Sequence, residues 1–334
     1  MSNWIVVLIG AVVCWAQPLC AQTGASARSE GMSGGTNTIV LRGGDCEVVL
    51  LPGLGARIGS YTLNGDGILW FDTNKTDRAN MPERPGLAGG ALTEAFNAQG
   101  PLPEMPQWST RPWLWESLGP NSVRFLAPTG PETGLALEKQ VVVDPEGGDI
   151  GLQHRLRSAS NQRQVVGLRS RSVLRGGGFV VMPVGEKTRY KAGWALGRLE
   201  GNGGVRWDGD NPSDPRVQVS KGLLAVRAGG TPLRVTAEGG AGWVMYTAGQ
   251  LVHTRFFGGE GAASGARVTV EIGLSGDSVE LLLSLGPAEI GPGLKLGLLE
   301  AWTLSDLERS VVSFDEARGL AKRLPASPLR PRKP

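Results

Sequence analysis

The sequence predicts an all-β chain, a large antiparallel β-supersandwich that ends in a short C-terminal helical segment. Turn formers are abundant, with Gly 51 and Pro 22 among 334 residues and no collagen-like triplet period. Apolar runs of strand length follow one another from Thr38 to Leu304, and no helix-period segment separates them. Several alternate with period two, as Leu135, Leu137, Val141 and Val143 do, and again Val268, Val270, Ile272 and Leu274. With 40% hydrophobic residues the chain has material for a core, and Lys+Arg 34 against Asp+Glu 31 is too balanced to suggest a nucleic-acid partner.

Residues 1–21 read as a signal peptide. The apolar run Ile5–Ala16 is too short to span a bilayer comfortably and is followed by Pro18 and small residues. Cleavage is expected after Ala21 or Ala27, giving a periplasmic or secreted product with no membrane span. The start, Met-Ser-Asn-Trp, carries no Lys or Arg, so a membrane anchor is the competing reading. Cutting after Ala21 removes Cys14 and Cys20 and leaves Cys46 without an intrachain disulfide partner.

Residues 22–36 read as a flexible lead-in, small and polar. Its Gly31-Met32-Ser33-Gly34-Gly35 matches G-x-S-x-G, a pattern with mechanical meaning only on a strand-to-helix turn, and no strand is expected before it. The β domain follows over 37–304. Its rhythm breaks at 72–118, where a long stretch rich in Pro, Gly, Asn and Trp reads as a binding loop. Trp108, Trp113, Trp115 and Glu116 lie there. Indoles stack on the C–H faces of sugars and a carboxylate accepts from hydroxyls, although the same tryptophans would also fill a core.

The helix is expected over 305–324, from two Ser-x-x-Glu capping boxes, Ser305–Glu308 and Ser313–Glu316, and a stop at Pro325. Residues 325–334 are basic and Pro-rich, and a disordered tail is expected.

The stretch Val48–Phe71 (VVLLPGLGARIGSYTLNGDGILWF), the later Gly89-Gly90 and Pro106–Trp113, then Thr133–Lys139 and Ile150–Asn161 occur in a telling order. Leu285-Gly286-Pro287, Gly291-Pro292-Gly293 and Glu300-Ala301-Trp302 close the series. Together they resemble the galactose mutarotase-like (aldose 1-epimerase-like) superfamily, and most of all a bacterial branch of it defined only as a domain of unknown function. The resemblance implies one β-supersandwich whose concave face binds carbohydrate.

Mutarotation needs a general base and a general acid, which the family supplies with a glutamate and a histidine. Where the active epimerases carry that histidine, this chain has Gly167-Leu168-Arg169-Ser170-Arg171. Guanidinium can bind hydroxyls or an anion but does not exchange a proton near neutral pH. The candidate catalytic residues are therefore His253, Glu271 and Glu280; the candidate substrate-binding residues are Arg57, Trp70, Trp108, Trp113, Glu116 and Arg169. His154, on the apolar face of its strand, reads as a hydrogen-bonded core residue.

No metal or other cofactor is expected. The two histidines lie far apart in sequence and no H-E-x-x-H occurs; Asp208–Asp214, with acids two and four apart, reads first as a plain Asp-rich turn, with an all-oxygen calcium site as the alternative. The leading functional reading is an exported carbohydrate-binding protein, with aldose 1-epimerase-like activity left open. A polysaccharide hydrolase or lyase accessory domain and a non-catalytic envelope scaffold are the alternatives.

Overall fold

The computed structural model describes residues 29–31, 37–71, 89–185, 188–199, 205–238, 242–261 and 267–329. The expected signal peptide, all of the lead-in except Ser29–Gly31 and the last five residues of the basic tail lie outside them.

In chain order the strands begin with β1 (Ser29–Gly31), β2 (Asn37–Gly43), β3 (Cys46–Leu51), β4 (Arg57–Leu63), β5 (Asp66–Gly67), β6 (Gly90–Asn97) and β7 (Gly100–Pro101). They continue with β8 (Leu114–Gly119), β9 (Ser122–Leu126), β10 (Leu135–Val143), β11 (Ile150–Ser158), β12 (Gln164–Arg175), β13 (Phe179–Pro183), β14 (Trp194–Leu199) and β15 (Val205–Asp208). Last come β16 (Val217–Ser220), β17 (Leu223–Arg227), β18 (Leu233–Glu238), β19 (Trp243–Ala248), β20 (Leu251–Gly261), β21 (Val268–Ser275), β22 (Ser278–Ile290) and β23 (Lys295–Asp306). Two short helices are α1 (Met105–Thr110) and α2 (Phe314–Ala321).

The strands form two antiparallel sheets. One runs β1-β2-β3-β4-β6-β12-β22-β21-β18-β14-β15, with β5 on β4 and β7 on β6. The other runs β16-β17-β13-β19-β20-β23-β11-β10-β9-β8. Period two decides what faces inward. On β12, Leu168 and Leu174 join the core between the sheets while Arg169 and Arg171 point to the other side of their sheet. On β22, Leu281, Leu283 and Leu285 do the same, leaving Glu280, Leu282 and Ser284 outward. Removing this apolar surface from water on both inner faces is the main force holding the sheets together.

A second apolar cluster lies on the other side of the second sheet. There α2 packs Ala317, Ala321 and Phe314 on Phe179, Val181, Leu223 and Met245. The Ser313 hydroxyl accepts from the Glu316 amide 3.2 Å away, an N-cap that begins this helix.

Three segment boundaries differ from expectation. The helix spans Phe314–Ala321 and not 305–324, because Ser305 and Asp306 extend β23 by pairing with Val252 and Leu251. Ser29–Gly31 pairs with β2 instead of remaining a loose lead-in. Of the tail, Pro328 and Leu329 lie against the second sheet beside Gln140, Gln153 and Ala301.

The stretch 72–118 also holds more structure than a loop. Its described part, 89–118, contains β6, β7, α1 and most of β8. Gly90–Asn97 (GALTEAFN) has few β-branched or aromatic residues and lacks a strand signature in sequence, yet it pairs with β12 over seven residues from Val173↔Gly90 to Gly167↔Phe96.

Candidate functional site

Five neighbouring strands of the first sheet bring six charged side chains onto one face. Arg169 stands opposite Glu94 on β6 and Ser284 on β22, and Arg171 stands opposite Leu92 and Leu282. Glu280 stands opposite Gly273 on β21, and Gly273 stands opposite Arg234 on β18. Antiparallel cross-strand partners share a face, so Glu94, Arg169, Arg171, Glu280, Glu271 and Arg234 form one row across the sheet.

Acid and base alternate along that row. Arg171 lies between Glu94, whose Oε1 is 3.1 Å from its Nε, and Glu280, which pairs with its Nη1. Arg234 lies between Glu271, which pairs with its Nη1, and Glu280, 3.5 Å from its Nη2. Burial alone would lower the Arg171 guanidinium; Glu94, Glu280 and Glu271 outweigh it and hold the group above its ordinary value. Gly273 makes room for this arrangement, since a Cβ there would lie 3.1 Å from Glu280 Oε2. The row is partly exposed, with side-chain exposures from 17% at Glu280 to 32% at Arg234, so a ligand can reach it.

Arg169 is bound more loosely. Its Nε donates to Ser284 Oγ at 3.1 Å, and its guanidinium carbon sits 4.7 Å from the centre of the Phe96 ring. Its Nη1 is 3.8 Å from Glu94 Oε2, beyond hydrogen-bond length.

Arg57 and Trp70 border the same region. Arg57 is fully buried and donates from Nη1 to the Gly89 carbonyl at 2.6 Å. Burial and the neighbouring Arg171 lower its guanidinium to about 10, with Glu94 acting in the opposite sense. Trp70 is half-buried, and its amide donates to the carbonyl of Val173, two residues along β12 from Arg171.

The remaining candidates lie elsewhere. Trp108 and Trp113 are buried, their indole N–H groups donating to the Pro128 carbonyl at 2.8 Å and the Trp108 carbonyl at 2.7 Å. They belong to the core packing of α1, not to a sugar platform. Glu116 is exposed on β8 and pairs with Arg124 on β9. His253 is completely buried, sandwiched edge-on by Trp302 at 5.2 Å and Tyr61 at 6.1 Å. Its Nδ1–H donates to the Thr303 carbonyl at 3.1 Å, and its Nε2 has no hydrogen-bond partner. Burial and nearby Arg255 push it down to about 3, so it is neutral at physiological pH and out of reach of solvent.

A buried polar cluster lies directly behind the row, between the sheets. Glu300 Oε2 accepts from Arg255 Nε at 2.9 Å, Arg255 Nη2 at 2.6 Å and Trp302 Nε1 at 2.7 Å. Its Oε1 is 3.0 Å from His154 Nε2. A carboxylate only accepts, so His154 carries its proton on Nε2 and takes the Thr93 hydroxyl, 2.8 Å away, on Nδ1. Burial, the largest influence, would raise Glu300, but the Arg255 guanidinium together with His154 and the Ser170 hydroxyl more than reverses this and holds it far below the usual carboxylate range. Sequence reasoning placed His154 in the core but missed its link to Glu300. The signal was there in part, because Glu300 precedes Trp302 on a strand otherwise apolar on its inner face.

No family model and no curated protein sequence matches the chain. Solved structures do. A putative aldose 1-epimerase from Escherichia coli K12 superposes with a TM-score of 0.61 at 9% identity, covering 82% of this chain and 100% of its own. The fold is galactose mutarotase-like. A galactose mutarotase-like protein from Clostridium acetobutylicum gives a TM-score of 0.61 at 8% identity, covering 84% of this chain and 98% of its own. Another from Lactobacillus casei gives 0.54 at 11% identity over 80% of this chain and 100% of its own. The mutarotase-like sandwich thus accounts for both sheets here, and at these identities the likeness concerns the fold alone.

Of the nine residues singled out in sequence, Arg169, Glu271 and Glu280 meet in the charged row, with Arg57 and Trp70 at its border. Trp108, Trp113, Glu116 and His253 stand apart from it. Glu94, Arg171, Arg234 and Ser284 complete the row.

Proposed function

We propose that the chain is an exported carbohydrate-binding protein whose ligand lies across the charged row of the first sheet. The observation that carries this reading is the alternation Glu94–Arg171–Glu280–Arg234–Glu271 on one accessible face. Carboxylates that accept and guanidiniums that donate, fixed in alternate positions, match a ring of hydroxyls that both donate and accept. The mutarotase-like fold supports the same ligand class.

Epimerase chemistry is less well served. Among the described residues the row offers glutamate, arginine and Ser284 but no imidazole, and each glutamate is engaged by an arginine. A base can be drawn from such a set, whereas an acid that protonates a ring oxygen and recovers its proton has no evident source. Binding without turnover is therefore the reading adopted. Export rests on residues 1–21, whose short apolar run and small-residue ending have the form of a secretory leader.

Titration calorimetry of the full chain against mono- and oligosaccharides tests the proposal. Saturable binding that is lost in Glu280→Gln and Arg171→Gln is expected. Silence across the panel, or binding indifferent to both substitutions, overturns it. Polarimetry of freshly dissolved α-anomers with and without the protein tests turnover separately.

A further inference from the structure

The second sheet carries a cavity on its outer side, where β10, β11 and β23 run next to one another. Gln140 stands opposite Gln153, Val142 opposite Gly151, and Gly151 opposite Ala301, all on the face turned away from the core residues Val141 and Leu152. Gly151 and Ala301 are too small to fill the middle of this face. They leave a hollow of about 60 Å³ that Val142, Leu299 and Thr303 border and Pro328 and Leu329 cover. At about 10–15 Å³ for each water-sized group, it has room for about four to six heavy atoms.

Its polar atoms are acceptors in want of donors. Gln153 is only 3% exposed, and its Nε2 donates to Glu260 Oε2 at 2.6 Å, while Arg155 Nη2 holds the other oxygen of Glu260 at 2.9 Å. A carboxylate only accepts, so this amide has one orientation, and Gln153 Oε1 is left buried with no donor. Gln140 Oε1, across from it, is buried and unpartnered as well. Interiors seldom leave such oxygens unpaired. Asp149, four residues before Gln153, lines the same hollow and is half-buried. No basic group among the described residues pairs with its carboxyl, which burial, and then neighbouring Asp144, raise to about 6.

An uncompensated carboxylate at one end, amide oxygens at the other and an apolar stretch between them describe the complement of the ligand. It has a cationic end, an aliphatic middle and a second group rich in donors. Strand rise separates Asp149 from Gln153 by about 13 Å at Cα, which an extended molecule of this size covers with a hydrogen bond at each end. An ammonium brings three donors to the two amide oxygens, whereas a hydroxyl brings one.

We propose that this hollow is a second ligand site, for a short aliphatic diamine: one ammonium pairs with Asp149, the methylenes lie over Gly151 and Ala301, and the other ammonium donates to Gln153 Oε1 and Gln140 Oε1. The site does not depend on the saccharide reading.

Calorimetry on the full chain compares diamines of two to six carbons with butylamine, which lacks the second donor group, and butanediol, which lacks charge. The best diamine should bind roughly tenfold more tightly than either, and its advantage over the diol should shrink as salt is added. Asp149→Asn should cost the diamine about tenfold and leave the diol unchanged. Gln153→Met should bring the diamine close to butylamine. Thermal melts check the folding of both variants, and the ligand series on the unaltered chain decides even where a variant does not fold.

No binding by any amine, a diamine that binds no better than butylamine or butanediol, or affinity that survives Asp149→Asn overturns the inference. Affinity lost in Glu280→Gln and kept in Asp149→Asn would put the amine on the charged row and overturns it equally. None of these outcomes touches the saccharide reading.

Discussion

Arg255 and Glu300 form a salt bridge of 2.6 Å in complete burial between the two sheets. The same guanidinium donates to Ser172 Oγ at 2.7 Å and Ser170 Oγ at 2.9 Å, the two residues that flank Arg171 on β12. Through His154, Glu300 also reaches Thr93, the neighbour of Glu94 on β6. One buried carboxylate on the second sheet thereby grips, from behind, the two strands that present the row.

Removing one partner of this pair strands a charge in a dry interior. Arg255→Leu is expected to destabilise the protein by about 3–5 kcal/mol. Replacing both, as Arg255→Leu with Glu300→Leu, should cost less than Arg255→Leu alone. Urea unfolding of the single and double variants measures the difference, and a double variant as unstable as the sum of the singles would contradict the coupling.

Lys139 is buried beside the same cluster, its Nζ donating to the Ala56 carbonyl at 2.9 Å. Burial, and then the charge of Arg57, lower it from 10.5 to about 7. Between those values the unfolded chain binds a proton that the folded chain does not, so stability should rise with pH. The contribution is full above the unfolded value and lost as pH falls through about 7. The slope between pH 7 and pH 9 should approach about 1 kcal/mol per unit. Lys139→Met should flatten it and stabilise the protein most at the acid end. Urea midpoints across that range provide the check, and an unchanged slope in the variant would assign the effect to another group.

Trp108 was legible in sequence as either a sugar platform or core, and burial decides for core. Trp108→Ala is expected to cost about 3–5 kcal/mol of stability, the usual consequence of a large cavity. Saccharide affinity of the protein that remains folded should be unchanged, since Trp108 is buried in the core and its indole bonds the Pro128 carbonyl. A melt and a calorimetric titration on the same sample separate the two effects.

The strands were readable where alternation was strong. β10 and β21 repeat apolar residues every second position and match the expected runs closely. β6 was not readable, because Ala91, Thr93 and Ala95 are too small or polar to signal a buried face, although the sheet places β6 beside β12. The site divided in the same way. Glu271 and Glu280 could be picked out as acids near a late strand, but their union with Arg171 and Arg234 depends on register between strands distant in sequence. Local pattern does not contain that information. His253 misled for a related reason: its face holds Arg255 as well, and in the folded chain both point into the core.

Gly273 offers a way to disturb the row without altering a charge. It lies between Glu280 and Arg234 in register, and any side chain there enters the space of the Glu280 carboxylate, 3.1 Å from the Cβ position. Its backbone is an ordinary extended strand, so the substitution carries no left-handed strain and acts through crowding alone. Gly273→Val should cost about 1–3 kcal/mol by overpacking and push Glu280 away from Arg234. Saccharide affinity should fall with it, while Gly286→Ala, where a Cβ meets no atom within 4 Å, should leave affinity intact. If Gly273→Val folds and binds saccharide as tightly as the parent, the ligand does not lie across Glu280.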